Sequence, residues 1–288
     1  MSGAVLVTGA TGNVGRAVAT HLVSAGESVV SAVRDAADPG LIEATEPRLF
    51  DFEDSWGWPA AFSGVDRLFL LRPPPISDVE RLLFPVIDAA LDRGVRQIVF
   101  LSLQGVQFNT RTPHHAVEKY LKALKAPFTF LRPNFFMQNL STTYRNDIRD
   151  RGEIFVPAAR ARTAFVDADD IGRVAARVFT WPGHLGQAYT LSGEHSLGYR
   201  EVARILTEVL GYPVRYGEPT VAEYAQRLES SGAAPDYIDV QKMIYRVVRT
   251  NVPAFPNRTI RRLTGAPATT FEEFARREQG IWRRTSGE

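Results

Sequence analysis

The chain has 288 residues, of which 44% are hydrophobic and 23% are charged, and its formal net charge is +2. This is the composition of an ordinary globular protein, and such a small net charge gives no reason to expect a nucleic-acid or membrane partner. The absence of cysteine excludes disulfides, thiolate catalysis and cysteine-ligated metals. An apolar strand begins within four residues, so we expect no signal peptide, and no stretch approaches the length of a membrane span. We therefore expect a cytoplasmic protein. Only four of the 34 basic residues are lysines, and this arginine bias indicates a GC-rich coding background and hence a bacterial source.

The first predicted elements are a strand, a glycine-rich turn and a helix. Val5–Val7 is an apolar run, glycines follow at 9, 12 and 15, and Val14 begins an apolar helical face. In this context the turn predicts a dinucleotide site: Gly9 allows the tight turn, Gly12 the approach of the pyrophosphate, and Gly15 the packing of helix on strand. The helix N-terminus adds partial positive charge. The predicted cofactor contacts here are Gly9, Ala10, Thr11, Gly12, Asn13, Val14 and Gly15.

Strands and helices then alternate as far as residue 133. The predicted strands are Ser28–Val33, Arg48–Phe52, Val65–Leu71, Gln97–Leu101 and Phe128–Leu131, and the predicted helices are Val79–Arg93 and His115–Ala126. This alternation, with near-continuous apolar strands, predicts an α/β fold with a doubly wound parallel Rossmann sheet covered on both faces.

From Asn134 onward the pattern is mixed and less regular. Helices are predicted over 136–151, from 167 or 169 to 180, over 197–210, 221–229 and 236–248, and from a capping box at Thr270 to about 283, with short strands at 154–156 and 189–191. We expect an NAD(P)-binding domain of residues 1–133 to which 163–190 return. Residues 134–162 and 191–288 are expected to form a smaller mixed α/β substrate-binding lobe over the carboxyl ends of the sheet.

Several motifs in order resemble one known family. The sequence is similar to the NmrA-like branch of the atypical short-chain dehydrogenase/reductase superfamily, and the resemblance covers nearly the whole chain. It is carried by Thr8–Gly15, His114–Glu118, Pro127–Asn139, Val166–Ile171 and the tail Thr264–Phe274. The resemblance implies a Rossmann fold that binds NAD(P), and either a reductase or a protein that senses the dinucleotide without turning it over.

Arg34 at the end of the second strand bears on the choice of cofactor. At this place, 19 residues after Gly15, an acidic residue binds the ribose of NAD, whereas arginine suits the 2′-phosphate of NADP. Arg34 therefore favours NADP(H) over NAD(H), and NAD stays open if Asp35 faces the ribose instead. The resemblance places Asp51 and Phe52 beside the adenine, although the pair also fits a plain turn. Leu71 and Arg72 at the end of the fourth strand are further predicted cofactor contacts. Arg72 fits a contact with a phosphate or with a substrate anion, and a surface role is its alternative.

The residues that usually carry catalysis in this superfamily are incomplete. The resemblance places Ser102, after the fifth strand, as the hydrogen-bond donor to a substrate carbonyl and as a cofactor contact. Its usual partners, Tyr-x-x-x-Lys, are missing, because Thr110 and His114 occupy their places. His114 is the alternative proton donor or the residue that orients the nicotinamide ribose, and a structural role is its other interpretation.

A group of residues past the sixth strand is predicted to contact cofactor and substrate. Ligands bind at the carboxyl edge of open α/β sheets, and an aromatic wall there suits a flat apolar molecule. The predicted cofactor contacts are Pro133, Asn134 and Phe135, and the predicted substrate contacts are Gln104, Phe136 and Met137. Ordinary core is the alternative for these residues, and the favoured one for Tyr144, Phe155, Trp181 and Tyr245. Asp167, Asp169 and Asp170 are interpreted as helix-capping residues, and no metal is expected.

The sequence therefore predicts an NADPH-dependent reductase that transfers hydride to an activated, flat, apolar electrophile, such as a quinone, enone, iminium or dye-like cation. Such acceptors tolerate the missing tyrosine. The alternative is a non-catalytic regulatory protein that senses NADP(H), and an epimerase is disfavoured because that chemistry needs the tyrosine base. The expected partner is a small apolar substrate, and the chain is expected to be a monomer or a homodimer.

Overall fold

The computed structural model describes residues 3–284, which contain eleven strands and thirteen α-helices. The strands are β1 Ala4–Thr8, β2 Val29–Val33, β3 Glu46–Leu49, β4 Val65–Leu71, β5 Gln97–Leu101, β6 Phe128–Pro133, β7 Glu153–Ile154, β8 Arg162–Thr163, β9 Gln187–Leu191, β10 Leu197–Gly198 and β11 Arg215–Tyr216. The helices are α1 Asn13–Ser24, α2 Trp58–Ala61, α3 Val79–Leu82, α4 Phe84–Asp92, α5 Pro113–Ala123, α6 Gln138–Ser141, α7 Arg145–Arg151, α8 Ala168–Thr180, α9 Tyr199–Leu210, α10 Val221–Ser230, α11 Pro235–Arg249, α12 Thr259–Thr264 and α13 Phe271–Glu278.

Seven strands form one sheet in the order β3-β2-β1-β4-β5-β6-β9, and all neighbouring pairs are parallel. The order reverses at β1, as in a doubly wound sheet, so the predicted α/β Rossmann class is confirmed. Leu68, Ile98 and Phe130 on central strands are fully buried, and Ile87 of α4 and Val117 of α5 belong to the same core.

The chain forms two compact units. The first runs through Pro133 and adds Ala168–Leu191 and Thr259–Ala266; the second consists of Asn134–Asp167, Ser192–Arg258 and the described residues from Pro267. Residues 163–167, expected in the first domain, fall in the second unit, where the amide of Val166 donates to the carbonyl of Phe135 at 2.9 Å. Residues 259–266, expected in the lobe, fall in the first unit because α12 packs against α8 and β9.

Two helices predicted as continuous are interrupted. The segment 79–93 divides into α3 and α4, because Pro85 has no amide hydrogen and its ring crowds the carbonyl one turn earlier. The segment 136–151 divides into α6 and α7 at Thr142, whose φ of −118° and ψ of −82° lie outside the helical region. Thr142 donates its hydroxyl to the carbonyl of Gln138 at 2.8 Å, a local bond that competes with helix continuation.

The remaining boundaries differ by a few residues. The third strand ends at Leu49 rather than Phe52, and Leu197–Gly198 forms β10 before α9 instead of opening the helix. The capping box at Thr270 is present, since its hydroxyl accepts from the amide of Glu273 at 3.2 Å and the Glu273 carboxylate accepts from the amide of Thr270 at 2.8 Å. Within residues 3–284 no helix is long and apolar enough to cross a membrane.

Candidate functional site

The turn between β1 and α1 has the geometry that close approach of a ligand to the backbone requires. Gly9 has a φ of +64°, and a Cβ on Gly15 would lie 2.1 Å from the carbonyl oxygen of Gly9, so both positions need glycine. Helix α1 begins after Gly12 with no side-chain cap and no acidic residue in its first turn. Gly9, Gly12 and Asn13 are exposed. The turn therefore presents backbone and a helix N-terminus to an anion, which fits a dinucleotide phosphate.

The turn is fastened to the neighbouring strand β4. The hydroxyl of Thr8 accepts from the amide of Leu71 at 2.7 Å and lies 3.2 Å from the carbonyl of Phe69. The side chain of Leu71 packs beside Gly9, and Ala10 and Val14 are buried, 2% and 5% exposed. Leu71, Ala10 and Val14 can therefore contact a cofactor through their backbone rather than through their side chains. Thr11 is half-buried.

A groove of about 610 Å³ opens at the carboxyl ends of β2 and β3 and contains a free guanidinium. It is lined by Arg34, Pro47, Arg48, Leu49, Phe50, Asp51, Asp54, Gly57, Ala60 and Ala61. Arg34 is exposed and makes no hydrogen bond or ion pair with the residues that the structure describes. Arg48, in contrast, binds Glu46 at 2.7 Å and two backbone carbonyls. The carboxylate of Asp35 accepts from the amide of Ala37 at 2.9 Å and so closes its own turn.

Asp51 and Phe52 contribute unequally to this groove. Asp51 lines it, and its carboxylate accepts from the amide of Glu53 at 2.9 Å while its carbonyl accepts from the Trp58 indole at 2.7 Å. Phe52 does not line it and packs edge-to-face on Phe50, with 5.1 Å between ring centroids. The observed contacts of Asp51 and Phe52 are therefore those of a plain turn, and contact of these residues with an adenine stays a prediction.

Arg72 folds back over its own loop. One guanidinium nitrogen donates to the carbonyls of Pro73 and Pro74 at 3.0 Å and of Ile76 at 2.5 Å. Burial lowers the pKa of Arg72. The side chain therefore stabilises the proline loop after β4, and the predicted grip on a phosphate would have to use its remaining nitrogens.

Ser102, at the end of β5, directs its hydroxyl at a carboxylate. Its Oγ donates to Oε1 of Glu118 at 2.7 Å. Glu118 is 3% exposed and also accepts from Nε and Nη2 of Arg132 at 2.9 and 2.5 Å. The serine proton is thus committed within a buried network. The predicted donation to a substrate carbonyl would require Ser102 to give up this bond.

His114 lies in the first turn of α5, half-buried, with its ring centroid 6.0 Å from that of Phe100. Burial, with a smaller contribution from the charge of Arg72, lowers the pKa of His114 to about 3. The imidazole is therefore neutral near pH 7 and is a poor acid there. The next histidine, His115, binds the carbonyl of Val106 at 3.2 Å through Nδ1.

No tyrosine replaces the missing phenol near α5. Tyr120 donates to both carboxylate oxygens of Asp88, at 2.7 and 2.8 Å, and stacks on Phe84. Burial and the neighbouring Asp88 raise the pKa of Tyr120 to about 12. Thr110 is exposed, so the two relay places hold a surface threonine and a neutral histidine.

The residues after β6 that were predicted to contact ligands are mostly held by hydrogen bonds and packing within the protein. Asn134 is buried, donates its amide to the carbonyl of Pro253 at 2.8 Å and accepts from the amide of Phe135 at 2.7 Å. Met137 is 2% exposed and belongs to the core of the second unit, and Phe136 pairs with Val166 in a β-bridge. Met137 is therefore a core residue, which was the alternative interpretation, whereas Phe135 lines a cavity.

That cavity lies within the second unit and has a volume of about 130 Å³. Its lining residues are Phe135, Asn139, Leu140, Thr143, Tyr144, Phe165, Tyr199, Gln241, Ile244 and Tyr245. The hydroxyl oxygens of Tyr144 and Tyr245 lie 2.5 Å apart, and burial raises the pKa of both phenols and of Tyr199. The sequence predicted core as the favoured role of Tyr144 and Tyr245 and did not select Tyr199 or Gln241, because their convergence depends on tertiary packing.

Two other predicted groups lie outside these sites. The backbone N–H of Gln104 donates to the carbonyl of Pro133 at 2.9 Å, which places both residues beside the ends of β5 and β6. The three aspartates near α8 each have a different partner: Asp167 pairs with Arg277 at 2.9 Å, Asp169 with His21 at 2.8 Å, and Asp170 with Arg173. Within residues 3–284 no cluster of three histidine, aspartate or glutamate side chains is arranged to hold a metal.

The chain has relatives along almost its whole length. Residues 1–245 match the NmrA-like family. An NAD(P)H azoreductase of Xenophilus azovorans is 32% identical over 94% of this chain and 96% of that protein. A (4-alkanoyl-5-oxo-2,5-dihydrofuran-3-yl)methyl phosphate reductase of Streptomyces griseus is 33% identical over 94% and 96%. Among solved structures, the NADPH-dependent quinone oxidoreductase of Escherichia coli in complex with NADPH has a TM-score of 0.83 and 25% identity over 94% of this chain and 98% of that one.

Proposed function

Because the chain belongs to the NmrA-like family and is an NAD(P)H-dependent oxidoreductase, we propose that it reduces a flat, apolar, already activated electrophile. Quinones, conjugated enones, iminium ions and dye-like cations are the candidate classes. The observation that carries the proposal is the state of the relay positions. The Ser102 proton is bound by Glu118 at 2.7 Å, and a lowered pKa keeps His114 neutral. An acceptor that needs no protonation before hydride arrives suits such a site.

The names of the relatives support this proposal. They describe reductases of azo compounds, of an oxo-dihydrofuran phosphate and of quinones. Each name denotes an acceptor with a conjugated or polarised double bond, and none denotes a simple alcohol or ketone. The chemistry shared by these relatives is therefore hydride transfer to an activated atom, which is what we assign to this chain.

The glycine turn and the groove give the cofactor its contacts in this proposal. Backbone amides around Gly12 and Asn13 would bind the pyrophosphate, and the free guanidinium of Arg34 would bind the 2′-phosphate. Asp35 is engaged with its own turn, which favours NADPH over NADH. When bound, NADPH supplies the hydride, and the residues of the chain bind and orient it.

Steady-state kinetics with NADPH test the proposed function. We expect kcat/KM for 1,4-naphthoquinone and for conjugated enones to be at least a hundred-fold higher than for cyclohexanone, whose carbonyl is not conjugated. This ratio corresponds to a difference of about 3 kcal/mol in the activation free energy. Tight NADPH binding with no turnover of any acceptor would contradict the proposal and favour the sensor role.

A further inference from the structure

Helix α11 carries large hydrophobic side chains on two faces. One face packs into the second unit through Ile238, Tyr245 and Val248, which are buried. The other face presents an apolar stripe to solvent, whose members recur three or four residues apart and are each 41–47% exposed. The α11 stripe consists of Tyr237, Val240, Met243 and Val247. Because a helix that is hydrophobic all round is normally covered on all sides, the stripe indicates that something packs on it.

The α11 stripe belongs to a concentration of exposed apolar side chains. Half of the large hydrophobic residues that are exposed within residues 3–284 lie between 237 and 255, where Val252 and Phe255 continue the series after the helix. Single exposed hydrophobic residues are ordinary, whereas a large group of them marks an interaction surface. The segment from 237 to 255 is therefore a candidate protein interface.

The charges along α11 select the kind of partner. Asp236 and Asp239 lie in its N-terminal part, and Arg246 lies in its last turn. Asp236 and Arg246 make no ion pair within residues 3–284. Asp239 binds Lys242 at 3.0 Å, yet its side chain stays 75% exposed and can accept a second cation. Since Arg246 follows Asp239 by seven residues, or about two turns, both lie along the same edge of the stripe. An acidic and a basic end on one edge are complementary to an antiparallel copy of the same helix.

We propose that α11 pairs with α11 of a second copy of this chain in an antiparallel homodimer. A two-fold axis near Met243 brings Val240 of each copy beside Val247 of the other. It also sets Asp239 of each copy against Arg246 of the other, so two ion pairs form across the interface. A parallel pair would bring like charges together, and an anionic lipid surface would repel the acidic half of the helix. Of the monomer and homodimer that the sequence allows, this proposal selects the homodimer.

Sedimentation velocity on the full chain tests the proposal. The fifteen residues of α11 span about 22 Å, and one helix of that length covers less than the roughly 800 Å² that a standard interface takes from each partner. We therefore expect a weak dimer with a dissociation constant in the micromolar range. Between about 1 and about 200 µM the sedimenting mass should rise from that of the monomer to twice that mass. A monomer at every concentration would overturn the proposal.

Two charge reversals test the antiparallel orientation. In a homodimer, Asp239→Arg sets guanidinium against guanidinium and Arg246→Glu sets carboxylate against carboxylate. Each variant alone should therefore associate about tenfold more weakly than the wild type, since both symmetry-related contacts become repulsive. An equimolar mixture of the two variants should regain the wild-type affinity, because every contact then joins a carboxylate to a guanidinium. A mixture that associates no better than the separate variants would contradict the pairing.

A third variant tests the apolar stripe. Met243→Glu places a carboxylate on the seam of both copies and should leave the chain monomeric at every concentration. Leu124→Glu is the matched control, because Leu124 is 42% exposed, close to the 46% of Met243, and lies directly after α5 in the first unit. Thermal unfolding verifies that both variants are folded. A dimer that tolerates Met243→Glu, or equal loss of the dimer in both variants, would place the interface elsewhere and overturn the proposal, whatever the outcome of the reductase assays.

Discussion

The hydroxyl of Ser102 donates a hydrogen bond of 2.7 Å to Oε1 of Glu118, and both side chains are buried. Glu118 also receives two hydrogen bonds from Arg132, so a buried carboxylate is balanced by a guanidinium and one hydroxyl. The network links the end of β5 to α5 and β6. A serine placed where catalysis was predicted is thereby part of the packing of the sheet.

We expect Ser102→Ala to leave catalysis nearly intact. Because the serine proton is committed to Glu118, its removal should change kcat for a quinone less than threefold and lower the free energy of unfolding by about 1 kcal/mol. Kinetics and urea unfolding on the same preparation measure both. A hundred-fold fall in kcat at unchanged stability would restore Ser102 to the catalytic role that the resemblance implies.

His114 predicts a pH dependence of stability. Its pKa in the folded protein is about 3, lowered from 6.5 by burial and by Arg72. Below pH 6.5 the unfolded chain takes up a proton that the folded chain rejects until about pH 3, so stability is lost as the pH falls. Between pH 7 and 5 this residue alone should cost about 2 kcal/mol.

Urea unfolding at pH 7 and 5 checks this dependence. His114→Asn should lose about 2 kcal/mol less than the wild type across this interval. His195→Asn, which replaces an exposed histidine, is the control and should lose as much as the wild type. Identical losses in all three proteins would show that His114 titrates normally.

Arg34→Ala should change cofactor preference. Loss of a charged hydrogen bond to a phosphate costs about 1.5–3 kcal/mol, so the KM for NADPH should rise roughly ten- to a hundred-fold. The KM for NADH should stay within a factor of two. Arg93→Ala, at an exposed position after α4, is the control. If the KM values for NADPH and NADH rise equally, Arg34 does not bind the 2′-phosphate.

Replacing Gly12 and replacing Gly15 by alanine should have different effects on stability and on cofactor binding. A Cβ at Gly15 would overlap the Gly9 carbonyl at 2.1 Å, so Gly15→Ala should lower the free energy of unfolding by about 1–3 kcal/mol. A Cβ at Gly12 would lie 3.4 Å from the same oxygen. Gly12→Ala should therefore fold normally and weaken NADPH binding alone. Thermal unfolding and NADPH fluorescence titration separate the two, and equal destabilisation would contradict this assignment.

The first unit could be predicted well because its signals are local. Strands Val65–Leu71 and Gln97–Leu101 have the predicted bounds, since each contains an uninterrupted apolar run of four residues that ends where the strand ends. The glycine spacing identifies the turn for the same reason. Pro85 interrupts a helix whose apolar spacing continues past it, so the hydrophobic pattern alone could not show the break.

The candidate site depends more on partners distant in sequence. Ser102 directly follows strand β5, as predicted, but Glu118, 16 residues later, accepts its proton. Asn134 stands at the predicted sheet edge, yet its amide is taken by Pro253, 119 residues away. Tyr144 and Tyr245 meet across 101 residues. Spacing in the sequence carries no information on such pairings, and so the cavity could not be predicted as a unit.

The placement of β9 has a consequence for how the protein is made. Strand β6 pairs with β9, which ends only at Leu191, 58 residues after Pro133. A nascent chain or a fragment that stops at residue 133 therefore has β6 as an open edge, with unpaired amides and carbonyls that recruit other strands. The nucleotide-binding sheet cannot be isolated as an N-terminal piece without exposing an aggregation-prone border, and a proteolytic cut between residues 133 and 187 should yield products that remain associated.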